Sequence, residues 1–132
     1  MEILVNLGNS TLSKKSRYLG LSIKPLLDAL TVIDQLYLMT HNVPPIYQSG
    51  IRYQNEPKNW KREDFAAVPV ILSRGWGDCD DLAPWRCAEL RSKGEKAKIR
   101  IQWKKLPNGK LYHIVVRRED GSIEDPSRIL GM

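Results

Sequence analysis

The sequence predicts an α+β fold in one domain, with helices in the first two thirds and an antiparallel meander in the last. Three observations carry this. Between residues 23 and 37, Ile23, Leu26, Leu27, Leu30, Ile33, Leu36 and Tyr37 recur at intervals of three and four, the spacing of a helix with one apolar side. Residues 96 to 104 alternate instead, setting Ala97, Ile99, Ile101 and Trp103 on one face of a strand, and residues 111 to 117 are strand-like too. Two turn signals, Leu106-Pro107-Asn108-Gly109-Lys110 and Glu119-Asp120-Gly121, separate these strands from a third short one near Asp125-Pro126. With 132 residues and 42% hydrophobic content the chain can fill one core and has little room for a second. A single domain over 1–132, with its core at about 22–132, is expected.

Taken in order, residues 2 to 7 (EILVNL) fit a short strand or an apolar anchor, and residues 9 to 20 a polar, basic loop. Ser22 is the expected N-cap of the first helix, with Pro25 in its first turn. That helix must end before Pro44 and Pro45, and His41 follows it, suited to meet the negative end of the helix dipole. Residues 46 to 62 look irregular, broken by Gly50 and Pro57, and residues 63 to 73 fit a short helix interrupted near Pro69. A glycine-rich turn, Arg74-Gly75-Trp76-Gly77, then opens a second helix that Gly94 closes. Pro84 leaves two starts open for it. A helix beginning at Asp78 loses the bond to Asp80 and is kinked at a cost of about 3 kcal/mol. One beginning at Asp80 or Asp81 tolerates the proline but leaves Cys79 just ahead of the helix.

Composition excludes several classes. MEILVNLGNS has neither the charged region nor the long apolar run of a secretory signal, and residues 25 to 47 are interrupted by Asp28, Asp34 and three prolines, so no membrane partner is expected. A reduced, cytoplasmic setting follows as the expectation. Cys79 and Cys87 stand eight residues apart, about 12 Å along a helix, too far for a disulfide. Zinc fits poorly without a CxxC pair, and no metal or cofactor is expected. The net charge is +6 and the pI about 9.4. The basic residues are dispersed and no nucleic-acid motif accompanies them, so a solvated surface is the first reading and an acidic polymer the second.

The chemistry gathers around Cys79. Gly75 and Gly77 permit tight backbone turns before it, and Asp78 is a suitable N-cap. Unpaired N–H groups at a helix start favour the thiolate, while Asp78, Asp80 and Asp81 oppose it, so a cationic partner is needed and His113 is the natural one. A three-residue Glu119-Asp120-Gly121 loop with Gly121 left-handed pairs Arg118 with Ser122. It sets Asp125 opposite Val115, one diagonal step from His113 and on the same face. By the same logic a Pro107-Asn108-Gly109 loop sets Trp103 opposite His113. Taken singly, such a cysteine is a small buried hydrophobe, such a histidine a bystander and such an Asp-Pro a turn starter. Their joint occurrence argues for a site. Cys87 reads as a buried helix residue; Asp80 and Asp81 could bind an amine substrate or a basic neighbour, but helix-start electrostatics is the simpler account.

Gly77-Asp78-Cys79-Asp80-Asp81-Leu82, Tyr112-His113-Ile114-Val115-Val116 and Glu124-Asp125-Pro126-Ser127 resemble, in order, the three motifs of the transglutaminase-like superfamily. Ile51-Arg52-Tyr53 and Leu130-Gly131-Met132 are similar to its small bacteriophage and prophage members. The resemblance implies a papain-like core with Cys79 as nucleophile, His113 as general base and Asp125 as the residue orienting it. It also implies a thioester with a protein or peptide substrate, then acyl transfer to water or an amine, with hydrolysis by a cysteine peptidase or amidase preferred in so small a chain. The Cys79 backbone N–H is implied as one oxyanion donor, with Trp76, Trp60 or the 46–62 segment supplying a second. A non-catalytic phage structural or virion-associated binding module is the alternative.

Overall fold

Helices α1 (Leu19–Thr40), α2 (Val68–Arg74) and α3 (Cys79–Ser92) come first, as the periodicity requires. The long strands β3 (Lys98–Leu106) and β4 (Gly109–Arg117) follow, then the short β5 (Ile123–Glu124) and a closing turn of helix, α4 (Pro126–Ile129). Strands β3, β4 and β5 form an antiparallel sheet in that order, so the fold is α+β. The computed structural model describes residues 19–57, 64–107 and 109–132. The expected strand at 2 to 7, most of the expected loop at 9 to 20, and Trp60 lie outside them.

The centre of the molecule is α3. Its residues from Asp80 to Trp85 and from Cys87 to Leu90 are all buried, which is why its sequence shows no single apolar stripe. On one side Ala83, Cys87 and Leu90 pack against Ile23 and Leu27 of α1 and against Ala97, Ile99, Ile114 and Val116 of the sheet. On the other, Leu82 and Trp85 pack against Ile46, Ile51, Ala66, Val68 and Ile71. The small side chains of Ala83, Cys87 and Ala88 let neighbouring backbones approach, and the wholly buried Trp85 fills the second cluster. His41 closes α1 as expected, its ring stacked 3.9 Å from that of Tyr37 and its Nδ1 3.2 Å from the Tyr37 carbonyl.

Several local expectations are corrected. Helix α1 already includes Leu19, so Ser22 lies inside it rather than capping it, and Pro25 is interior. A proline removes one helical bond, and the packing of Ile23, Leu27 and Leu30 outweighs that loss. Pro69 does not interrupt α2 but lies second in it, in the first turn, where its missing N–H has no helical partner to lose. Helix α3 starts at Cys79 with Asp78 as N-cap, so Pro84 is an interior residue and the earlier of the two starts is the one adopted.

The β3–β4 hairpin is one residue tighter than expected. Leu106 pairs with Gly109, leaving two residues in the loop, and Pro107 is suited to the first of them. The slip sets Gln102, not Trp103, opposite His113. Trp103 instead faces Tyr112, ring edge to ring face at 6.0 Å, and lies half exposed where the hairpin runs beyond the core.

The segment read as irregular also contains a strand. Residues Arg52–Tyr53 (β1) pair in parallel with Trp76–Gly77 (β2), the two residues that lead into Asp78 and Cys79. Two-residue strands carry no periodicity for a sequence pattern to reveal.

Candidate active site

Cys79 is the first residue of α3, partly exposed, with its side chain against the first core cluster. The preceding turn is tightly specified. Gly75 closes α2 at φ +86°, a conformation that suits glycine. A Cβ on Gly77 would lie 3.1 Å from both Asp81 Cβ and Leu82 Cδ2, so the close approach of β2 to α3 requires its absence. Asp78 N–H donates to Asp81 Oδ2 at 3.2 Å, the reverse arm of a capping box.

The second turn behaves as the sequence requires. Gly121 sits at φ +88°, its N–H donates to Arg118 O at 2.9 Å, and Arg118 N–H donates to Ser122 O at 2.8 Å. Val116 therefore pairs with Glu124 and Arg117 with Ile123, the expected register. It brings His113 Nε2 within 2.8 Å of Asp125 Oδ2, with both side chains mostly buried. A carboxylate can only accept, so Nε2 carries the proton and Nδ1 is the basic nitrogen. The other Asp125 oxygen accepts from Arg128 N–H at 3.3 Å, capping α4. The turn-starting role of Asp-Pro and the orienting of His113 are thus performed by one side chain.

Tyr53, on β1, links the two halves. Its N–H donates to Leu130 O at 2.9 Å, beyond α4, while the next residue, Gln54, donates to Gly77 O at 2.9 Å, beside the cysteine turn. Its hydroxyl donates to Asn55 Oδ1 at 2.6 Å. Burial, then the negative charges of Cys79, Asp78, Asp80 and Asp125, hold the Tyr53 phenol above its usual range. Tyr53 thus feels the charge of both Cys79 and Asp125. In the sequence Tyr53 stands out only as one residue of the 46–62 segment that could supply a second oxyanion donor.

Glu124, beside Asp125, fastens β5 to α3. Arg86 Nε donates to Glu124 Oε2 at 2.6 Å and Tyr47 OH donates to the same oxygen at 2.6 Å, while Arg118 donates to Oε1 at 2.9 Å. Burial alone would raise the Glu124 carboxyl, but the bonds from Arg86 and Tyr47 outweigh it and hold it below its usual range. Asp125 is thus the next residue along from a clamped one.

Trp76 lies in β2, three residues before Cys79. The Arg74 guanidinium covers its ring at 3.8 Å, and Arg74 Nε donates to its carbonyl at 2.9 Å. Asp80 and Asp81 are fully buried rather than solvated, so helix-start electrostatics is too small a role for them. Asp81 knits the region together, accepting from Ala66 N–H at 2.6 Å and from Arg74 at 2.6 Å. Cys87 is enclosed, and burial pushes its thiol up to about 11. Among the described residues no helix is long and apolar enough to cross a membrane. No family model, no curated protein and no solved structure matches this chain.

Proposed function

We propose that this chain is a thiol-dependent acyl-transfer enzyme with a papain-like, transglutaminase-like core, acting on a peptide or protein amide. Cys79 Sγ bonds to the substrate carbonyl carbon as His113 Nδ1 takes the thiol proton. The tetrahedral oxyanion meets donors such as the Cys79 N–H at the start of α3. The C–N bond then breaks, and His113 returns the proton to the departing amine, leaving a thioester. Water, activated by His113, hydrolyses it and regenerates the thiol. Asp125 holds the imidazole in the required tautomer throughout. Transfer to a second amine in place of water is the cross-linking version of the same chemistry.

The observation that carries the reading is the 2.8 Å bond between His113 Nε2 and Asp125 Oδ2, in the register that the glycine turn dictates. The three motifs in the order Cys, His, Asp, which resemble those of the transglutaminase-like superfamily, support it. A generic acyl probe tests it. With p-nitrophenyl acetate, the protein should release a burst of one p-nitrophenolate per chain, and Cys79→Ala should release none. His113→Ala should slow acylation by about 10²- to 10⁴-fold. A burst that persists in Cys79→Ala, or that is absent from the parent protein, sinks the proposal.

One observation favours a second reading. Lys98, Arg100 and Lys104 lie exposed on the same side of β3, and Arg117 lies opposite Lys98 on β4. A binding module would use this face on an acidic polymer or a phage structural partner. Tight binding that weakens steeply with salt, in a protein lacking the burst, would favour it.

A further inference from the structure

The residues on either side of Cys79 leave carboxylate oxygens stranded. Asp80 is buried to 1% exposure; its Oδ1 has no hydrogen-bond partner, and its Oδ2 accepts a long 3.4 Å bond from Tyr112. Asp78 Oδ1 is buried and unpartnered as well. Glu56, in the loop after β1, brings a third carboxylate. One oxygen from each of the three lies within 4.8 Å of the other two.

A buried carboxylate without donors costs several kcal/mol, and a like-charged neighbour adds to it. The adjacent Asp81 shows how the fold avoids that cost where it needs only structure: its oxygens take a guanidinium and two backbone N–H groups. Among the described residues Asp80 has no such set.

We propose that Glu56, Asp78 and Asp80 form a binding site for a hard divalent cation of the Ca²⁺ or Mg²⁺ class, directly beside Cys79. The donors are all carboxylate oxygens, with no imidazole or thiolate in the set, which suits a hard cation and not zinc or copper. Oxygens this close can share one ion at about 2.1–2.6 Å. Glu56 and Asp78 are only partly buried, so the cluster opens to solvent on their side, where water fills the remaining coordination positions. Glu56 Oε1 already accepts from Asp64 N–H at 3.0 Å, which ties the ligand to the chain before α2. A bound ion would fasten the loop after β1 to the start of α3. The site stands without the acyl-transfer reading.

The full chain, stripped with EDTA and dialysed, is titrated with CaCl2, MgCl2 and MnCl2 against KCl of equal ionic strength. At least one divalent salt should raise Tm by about 5 °C near saturation and give a calorimetric stoichiometry of one. Glu56→Gln, at a partly exposed loop position, should weaken binding at least tenfold while leaving the circular dichroism spectrum unchanged. Asp80→Asn should do the same and raise Tm in metal-free buffer. Identical melting in all four salts overturns the proposal, as does binding undiminished in Glu56→Gln. A protein that binds the ion but gives no acyl burst loses the catalytic reading alone, and one that gives the burst but binds no ion loses this site alone.

Discussion

Helix α3 meets buried charge at its middle and at its start, and handles it in opposite ways. At the middle, Arg86 donates to Glu124 and, at 3.1 Å, to Glu89, whose second oxygen accepts from Ile46 N–H at 2.7 Å. Arg118 continues the chain of pairs, binding Glu95 through two bonds of 2.6 and 2.7 Å. Every carboxylate there has donors. At the start, Asp78 and Asp80 each keep a buried oxygen with none. The contrast teaches which polar clusters are structural. A fully partnered network fixes the position of β5 and hence of Asp125, whereas an under-partnered one keeps capacity for something the chain does not itself supply.

The largest test of this contrast is Arg86→Met. It removes the guanidinium that joins Glu89 to Glu124, leaving Glu124 its bonds from Arg118 and Tyr47, and should cost about 3 kcal/mol of unfolding free energy in urea titrations. A loss below about 1 kcal/mol would mean the network is no more than a surface feature.

Asp34 sharpens the comparison from the other side. It is buried in α1, with Oδ1 accepting from Val68 N–H at 3.0 Å and Oδ2 unpartnered. Burial raises its carboxyl from 3.8 to about 8, against the opposing Val68 bond. The folded state therefore holds the proton more tightly than the unfolded chain. Its contribution is complete below about pH 4 and is lost as pH rises through about 8. Asp34→Asn keeps the acceptor for Val68 and should remove roughly 2 kcal/mol of the stability decline between pH 5 and 8. Parallel pH profiles for the two proteins would contradict this.

The smallest effect belongs to a pair outside both networks. Lys24 and Asp28 meet at 2.7 Å on the half-exposed side of α1, and Lys24→Met should change stability by less than about 0.5 kcal/mol. A larger cost would blur the distinction between solvated and enclosed ion pairs.

How much of this was legible in the sequence depended on how local the signal was. Gly121 fixed one hairpin register, because a left-handed residue three positions into a loop leaves little choice, and the His113–Asp125 contact followed from it. Pro107-Asn108-Gly109 carried two compatible loop lengths, and the choice between them moved Trp103 away from His113. The α+β order was readable from periodicity, and so was the burial of Cys87. Strand β1 was not, since its pairing with β2 depends on partners distant in the chain. Asp80 and Asp81 looked like ordinary first-turn acids; only the packing around α3 shows that one of them is satisfied and the other is not. Pro84 left the start of α3 undecided, and the Asp78–Asp81 capping bond accompanies the earlier choice.

The two-residue strand β1 has a consequence for the order of folding. It hydrogen-bonds on one side to the turn before Cys79 and on the other to Leu130, near the end of the chain. Closing those contacts means ordering long stretches of intervening chain, so they form late, after the local α3 and β3–β4 pairings. The cysteine turn, Asp125 and Tyr53 are brought together only when the C-terminal residues dock. A chain cut before Leu130 would lose one of those bonds, leaving β1 tied to the turn before Cys79 but not to the residues after α4.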